Sequence, residues 1–106
     1  MKIVETSDKL SDEDEVFVRM ELSHGMTSSF TVIQISEING QRCQVVRYDC
    51  AHGYAHKDCL YDLSNKKEEL PDRPLDELCN EAREDIKREW KNYRSQFMRN
   101  RLVRKS

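Results

Sequence analysis

The sequence predicts an α+β fold: an antiparallel β-meander of four to five strands packed by one long C-terminal α-helix. Three observations predict it. Apolar and polar residues alternate over residues 15–23, the period of a half-buried strand. Asn39-Gly40 sits between two β-branched runs, and both positions tolerate the positive φ of a type I′ hairpin turn. Leu75, Leu78, Cys79, Ala82, Ile86, Trp90, Tyr93 and Phe97 recur at steps of three and four, the stripe of an amphipathic helix.

Residues 1–14 read as a mobile lead-in, with a short edge strand at Ile3-Val4, and residues 15–106 as a single domain. Within it the sheet is expected over 15–70 and the helix over 74–102. Val16, Val18, Met20 and Leu22 share one side of the first full strand, and His24-Gly25 closes it with a turn. The β-branched run 29–38 supplies the next strand, and residues 41–49 return antiparallel to it. A two-residue turn places Ile38 opposite Gln41. An unbroken register then puts Ile33, Ile35, Val46 and Tyr48 on the core face, with Phe30, Val32, Val45, Arg47 and Asp49 on a mixed one. Residues 50–56 have no clean periodicity, whereas residues 57–63 alternate like a strand and 67–70 suit a short edge strand. Pro71 and Pro74, followed by Asp76 and Glu77, suit the start of a helix. A helix over 74–102 is roughly 43 Å long. That exceeds the width of four strands, so its last turns are expected to project into solvent or across a partner subunit.

The chain has 106 residues, 36% of them charged and 37% hydrophobic, with three Gly and two Pro. Such a composition describes a folded domain with a solvated surface, not a disordered segment. No apolar run is long enough to span a bilayer, and the N-terminal stretch lacks the apolar core of a signal peptide, so a cytoplasmic location and no membrane partner are expected. Cys43, Cys50, Cys59 and Cys79 form no Cys-x-x-Cys pair and read as reduced thiols packed as small hydrophobes. The net charge of −2 is unevenly spread: residues 87–106 carry eight basic side chains against Glu89 alone. Lys87, Arg88, Lys91 and Arg94 on that helix, with Lys57, are candidates to bind nucleic acid. No Gly-rich phosphate loop, nucleophile elbow or dinucleotide fingerprint is present.

One segment concentrates chemistry-bearing groups. Arg47, Asp49, His52, His56, Lys57 and Asp58 lie within twelve residues. Two imidazoles can act as base and acid in one reaction. A guanidinium can offset charge developing on a phosphate, and Asp49 or Asp58 can orient an imidazole. These parts suit metal-independent RNA cleavage, in which the 2′-hydroxyl is the internal nucleophile, and Arg47, Asp49, His52, His56 and Asp58 are the candidate catalytic residues. No cofactor is required by this reading. A divalent metal is the alternative, held by Asp49, His52, His56 and Asp58, or as zinc by Cys50, His52, His56 and Cys59. The spacing of the second set matches no standard zinc module. A non-catalytic reading keeps the long helix and mixed sheet face as surfaces of a dimeric interaction module for a protein or nucleic acid.

The strand-borne Arg47-Tyr48-Asp49, followed by Ala51-His52 and His56, resembles the small TumE-type toxins of prokaryotic toxin–antitoxin pairs. It is similar, too, to a related group of small archaeal and bacterial proteins. The resemblance covers about a fifth of the chain, with the order of elements agreeing more broadly. It implies a ribonuclease-like toxin, an antitoxin partner, and functional roles for Arg47, Asp49, His52 and His56. Two departures stand out, a smaller number of histidines and the long basic helix.

Overall fold

The computed structural model describes residues 1–51 and 54–105. Six strands form one antiparallel meander in chain order: β1 (Lys2–Lys9), β2 (Asp14–Ser23), β3 (Met26–Ile38), β4 (Gln41–Ala51), β5 (Tyr54–Asp58) and β6 (Lys67–Glu69). One helix, α1 (Leu75–Lys105), covers a single face of the sheet. The α+β meander expected from the sequence is therefore the fold, with a sixth strand. The extra strand comes from the N-terminal stretch, where β1 runs eight residues beside β2 instead of the two expected at Ile3-Val4.

Local chemistry sets the turns. Asn39 and Gly40 have φ of 54° and 78°, and His24 and Gly25 have 54° and 77°, so each hairpin closes through two left-handed residues. Strand β5 starts and ends earlier than the alternation over 57–63 suggests. Cys59 donates its backbone N–H to Lys66, and Asp62 donates to Cys59, so the chain turns back at residue 59.

The register of β3 against β4 departs from the simple hairpin. Ile38 pairs with Gln41 and Ile35 with Gln44, but Gln34 pairs with Val46, so β4 carries one extra residue at a bulge. Because side chains alternate with a period of two, one inserted residue exchanges faces beyond it. The floor of the core is therefore Phe30, Val32 and Gln34 beside Val46 and Tyr48, not Ile33 and Ile35 beside them. Ile33 and Ile35 lie on the open face with Arg47 and Asp49. Val45, in the bulge itself, is fully buried.

Helix α1 runs along the strands instead of across them. Its first turn meets the β2–β3 turn at Gly25–Thr27, and its last described turns meet the β3–β4 turn at Ile38-Asn39. Thirteen residues of β3 span about 43 Å, against about 46 Å for the 31-residue helix. The two match. The expected overhang is accordingly absent as far as residue 101: Asn100 donates to the Tyr61 carbonyl, and Arg101 donates to Gln41. The core joins Val16, Val18, Phe30, Val32, Val46 and Tyr48 to Leu78, Cys79, Ala82, Ile86 and Tyr93. All four cysteines are free thiols, three of them buried. Among the described residues no helix is long and apolar enough to cross a membrane.

Two polar clusters sit inside this interface. Asp14, 4% exposed, accepts from Ser11 and Ser36 at 2.6 Å each and from Arg94 at 2.9 Å. Burial pushes its carboxyl up, but these three donors outweigh burial and hold it below its ordinary 3.8. In the second cluster Asp85 accepts from Tyr48 and Tyr93, while the Lys57 ammonium donates to Tyr93 at 3.0 Å. That ammonium lies 4.9–5.7 Å from the ring centroids of Tyr48, Tyr61 and Tyr93.

Candidate functional site

The open face of β4 and β5 gathers most of the residues singled out in the sequence. Arg47 pairs across the ladder with Asp58, and Asp49 with His56. Directly opposed residues in an antiparallel pair share a face, so the four side chains stand together on the uncovered side of the sheet. Arg47 also reaches along its own strand, donating from Nε to Asp49 Oδ2 at 3.2 Å. His56 Nε2 lies 3.9 Å from Asp58 Oδ2, and the Lys67 ammonium lies 3.6 Å from the other Asp58 oxygen. The result is an Arg47–Asp49 ion pair beside a His56–Asp58 contact on the neighbouring strand.

Exposure differs within the group. The Arg47 side chain is 36% exposed, Asp49 21%, Asp58 24% and His56 only 13%. His56 Nδ1 is buried and, among the described residues, has no hydrogen-bond partner. With Nδ1 enclosed, Nε2 is the ring nitrogen left to face a ligand, because at 3.9 Å from Asp58 it is beyond hydrogen-bond distance of that carboxylate. Tyr54 precedes it on the same face, 61% exposed, with its ring centroid 6.2 Å from that of His56.

His52, the second imidazole of the expected pair, lies outside the described residues. The metal alternatives both include His52, so neither complete set can be placed; among the described residues no three His, Cys, Asp or Glu side chains converge on one point. Cys59 is buried at 2% exposure, and Cys50 lies on the core side at 7%.

The expected nucleic-acid contacts are dispersed. Lys57 alternates with His56 and Asp58, so it points to the helix side and lies between three tyrosine rings. Burial lowers the affinity of that ammonium for its proton, but the Tyr93 hydroxyl and the Asp85 charge outweigh burial, and its pKa is raised. Arg94 is tied to Asp14 and to the Glu37 carbonyl. Lys87 lies 3.7 Å from Asp8, and Arg88 donates to Asp85. Lys91 sits over its own neighbour Trp90 at 5.6 Å. All these helix residues are across the sheet from Arg47 and His56.

Sequence reasoning passed over Tyr54, Lys67 and Glu69, which border the quartet. The only signal for them is the β5–β6 register, where His56 faces Glu69 and Asp58 faces Lys67. A three-residue strand is too short for its periodicity to declare that register.

Fold and site thus define a class: a single-helix α+β meander whose uncovered sheet face bears an Arg-Asp and a His-Asp pair. The chain belongs to a family described as a domain of unknown function (DUF7718), whose family model matches residues 1–102. No curated protein and no solved structure matches it.

Proposed function

We propose that this protein is a toxin-like ribonuclease that cleaves RNA at the open sheet face, with no metal required. The observation that carries the reading is the cross-strand quartet of Arg47, Asp49, His56 and Asp58. In this mechanism neutral His56 accepts the proton of a ribose 2′-hydroxyl as that oxygen attacks the adjacent phosphorus. Arg47, held by Asp49, offsets the charge that grows on the phosphoryl oxygens. Asp58, 3.9 Å from Nε2, stabilises the imidazolium that results. The P–O bond to the 5′-oxygen then breaks, and that oxygen takes a proton from a second acid, the role assigned to His52. The products are a 2′,3′-cyclic phosphate and a 5′-hydroxyl. An antitoxin partner, as the resemblance to TumE-type toxins implies, would silence the protein by covering this face.

The test is cleavage of single-stranded RNA by purified protein in the presence of a chelator, with end-group analysis of the fragments. His56→Ala is expected to lower the rate by roughly two to four orders of magnitude, the usual contribution of a general base. Arg47→Ala is expected to lower it comparably. Equal cleavage by well-folded His56→Ala protein, or none by the unaltered chain, overturns the reading.

A second reading is favoured by Met98 and Leu102, which are 41% and 71% exposed beside Ile38 at the far end of α1. In it the chain is a non-catalytic module that pairs with a second copy through this apolar end. Sedimentation would show a dimer that Met98→Ser with Leu102→Ser converts to a monomer. A monomer at all concentrations removes it.

A further inference from the structure

We propose that Tyr54 and Glu69 form a base-recognition subsite beside His56, selecting guanine in the RNA substrate. The inference deepens the ribonuclease reading and rests on it for the identity of the ligand as RNA. Its observations are independent of the quartet. Most tyrosines of this chain have buried rings or hydroxyls bonded to Asp85, but Tyr54 presents its ring to solvent at 61% exposure. An exposed aromatic on an uncovered antiparallel sheet is a platform on which an unpaired base stacks. The ring stands two residues before His56 on the same strand face, so a base on it lies next to the proposed point of cleavage.

A cleft of about 320 Å³ opens at this edge, where the chain leaves β6 for the helix. Tyr54, Glu69, Leu70 and Pro71 line it, together with Leu75 from the first turn of α1. Leu70 is fixed there by a backbone hydrogen bond to Ala55 at 2.9 Å. Apolar walls and one exposed ring suit the flat faces of a heterocycle. The polar contribution comes from Glu69, directly opposite His56 in the ladder. Arg73, in the same cleft, is already held by both oxygens of Glu81, whereas no side-chain partner engages Glu69 among the described residues.

A carboxylate only accepts hydrogen bonds. Of the four bases, guanine alone offers two adjacent donors, N1–H and the N2 amino group, on its Watson–Crick edge. Adenine and cytosine set a ring-nitrogen acceptor there, which the carboxylate repels, and uracil sets one donor between two carbonyls. Stacking on Tyr54 therefore binds any base, and Glu69 selects guanine among them. The two contributions are separable.

The test measures binding, not cleavage. Guanosine 3′-monophosphate and adenosine 3′-monophosphate are titrated into the full chain by calorimetry. Guanosine 3′-monophosphate is expected to bind at least roughly tenfold more tightly, the effect of a hydrogen-bonded edge left unpaired by the wrong base. Tyr54→Ala should weaken both nucleotides by roughly tenfold, the usual effect of losing one stacked base, while Tyr54→Phe retains both. Glu69→Gln should erase the preference and leave the affinity for adenosine 3′-monophosphate unchanged or higher. Equal binding of the two nucleotides by the unaltered chain, or affinities indifferent to Tyr54→Ala, overturns the subsite. The two readings fail separately. Guanine-selective binding that depends on Tyr54 and Glu69, in a chain that cleaves no RNA, keeps the subsite and removes the ribonuclease. His56-dependent cleavage without nucleotide selectivity does the reverse.

Discussion

At the scale of single residues, the most consequential groups are polar ones placed where hydrophobic residues are expected. Asp14 and Arg94 join the sheet to the helix across 80 positions of sequence. Removing one partner of a buried pair strands the other, so Asp14→Asn is expected to cost roughly 3 kcal/mol in urea unfolding. The same group sets an acid limit. Its folded pKa is lowered, so its contribution is present above the ordinary 3.8 and is lost as pH falls through the lower folded value. Stability of the Asp14→Asn variant should therefore fall less between pH 5 and pH 2 than that of the unaltered chain, roughly the window in which a depressed carboxylate protonates. Lys57 acts in the opposite sense. Its raised pKa gives a contribution present below the ordinary 10.5 and lost only above it, so no loss from this group is expected in the neutral range. His24 holds a φ of 54°, a conformation that costs little for Gly or Asn. Replacing it with Gly should leave stability within about 0.5 kcal/mol or raise it, a shift readable in the urea midpoint.

Among the elements, the β4 bulge decides which groups meet solvent. Deleting Val45 would remove the extra residue while keeping Val46 opposite Gln34, Arg47 opposite Ile33 and Tyr48 opposite Val32, so the faces beyond the bulge are expected to be retained. The deletion is expected to cost about 2–5 kcal/mol in urea unfolding, the loss of one fully buried apolar side chain and the straightening of the strand. Loss of cooperative unfolding would show instead that β4 cannot straighten without exchanging its faces. The bulge also marks the boundary of what the sequence reveals. Asn39-Gly40 and the stripe from Leu75 to Phe97 are legible because turn chemistry and helical period are local. Grouping Arg47 with Asp49 is legible for the same reason, since they are two apart on one strand. Which face they take is not, because Val45 and Val46 are both apolar and either register buries one of them. Strand β1 is obscured by its composition: as an edge strand it has one neighbour and needs few apolar residues. The helix ending is misjudged from length alone, since nothing local tells whether a helix lies along strands or across them.

For the molecule as a whole, the alignment of α1 with β3 gives a long axis of 49 Å and one layer of core. Ile86 is fully buried at the centre of that layer. Its replacement by Ala should cost about 2–5 kcal/mol, and at this size that amounts to a fall of roughly 10–30 °C in melting temperature. A loss below about 1 kcal/mol would mean that the sheet and helix are held mainly by the two polar clusters instead.

The meander order carries a consequence for biosynthesis. Each strand finds its neighbour in the segment just made, so the sheet can assemble by successive hairpins as the ribosome advances. The helix arrives afterwards, and until it does Phe30, Val32 and Val46 form a bare greasy sheet surface. Newly made chains arrested before Leu75 should therefore be the species that chaperones hold and that clump when they do not.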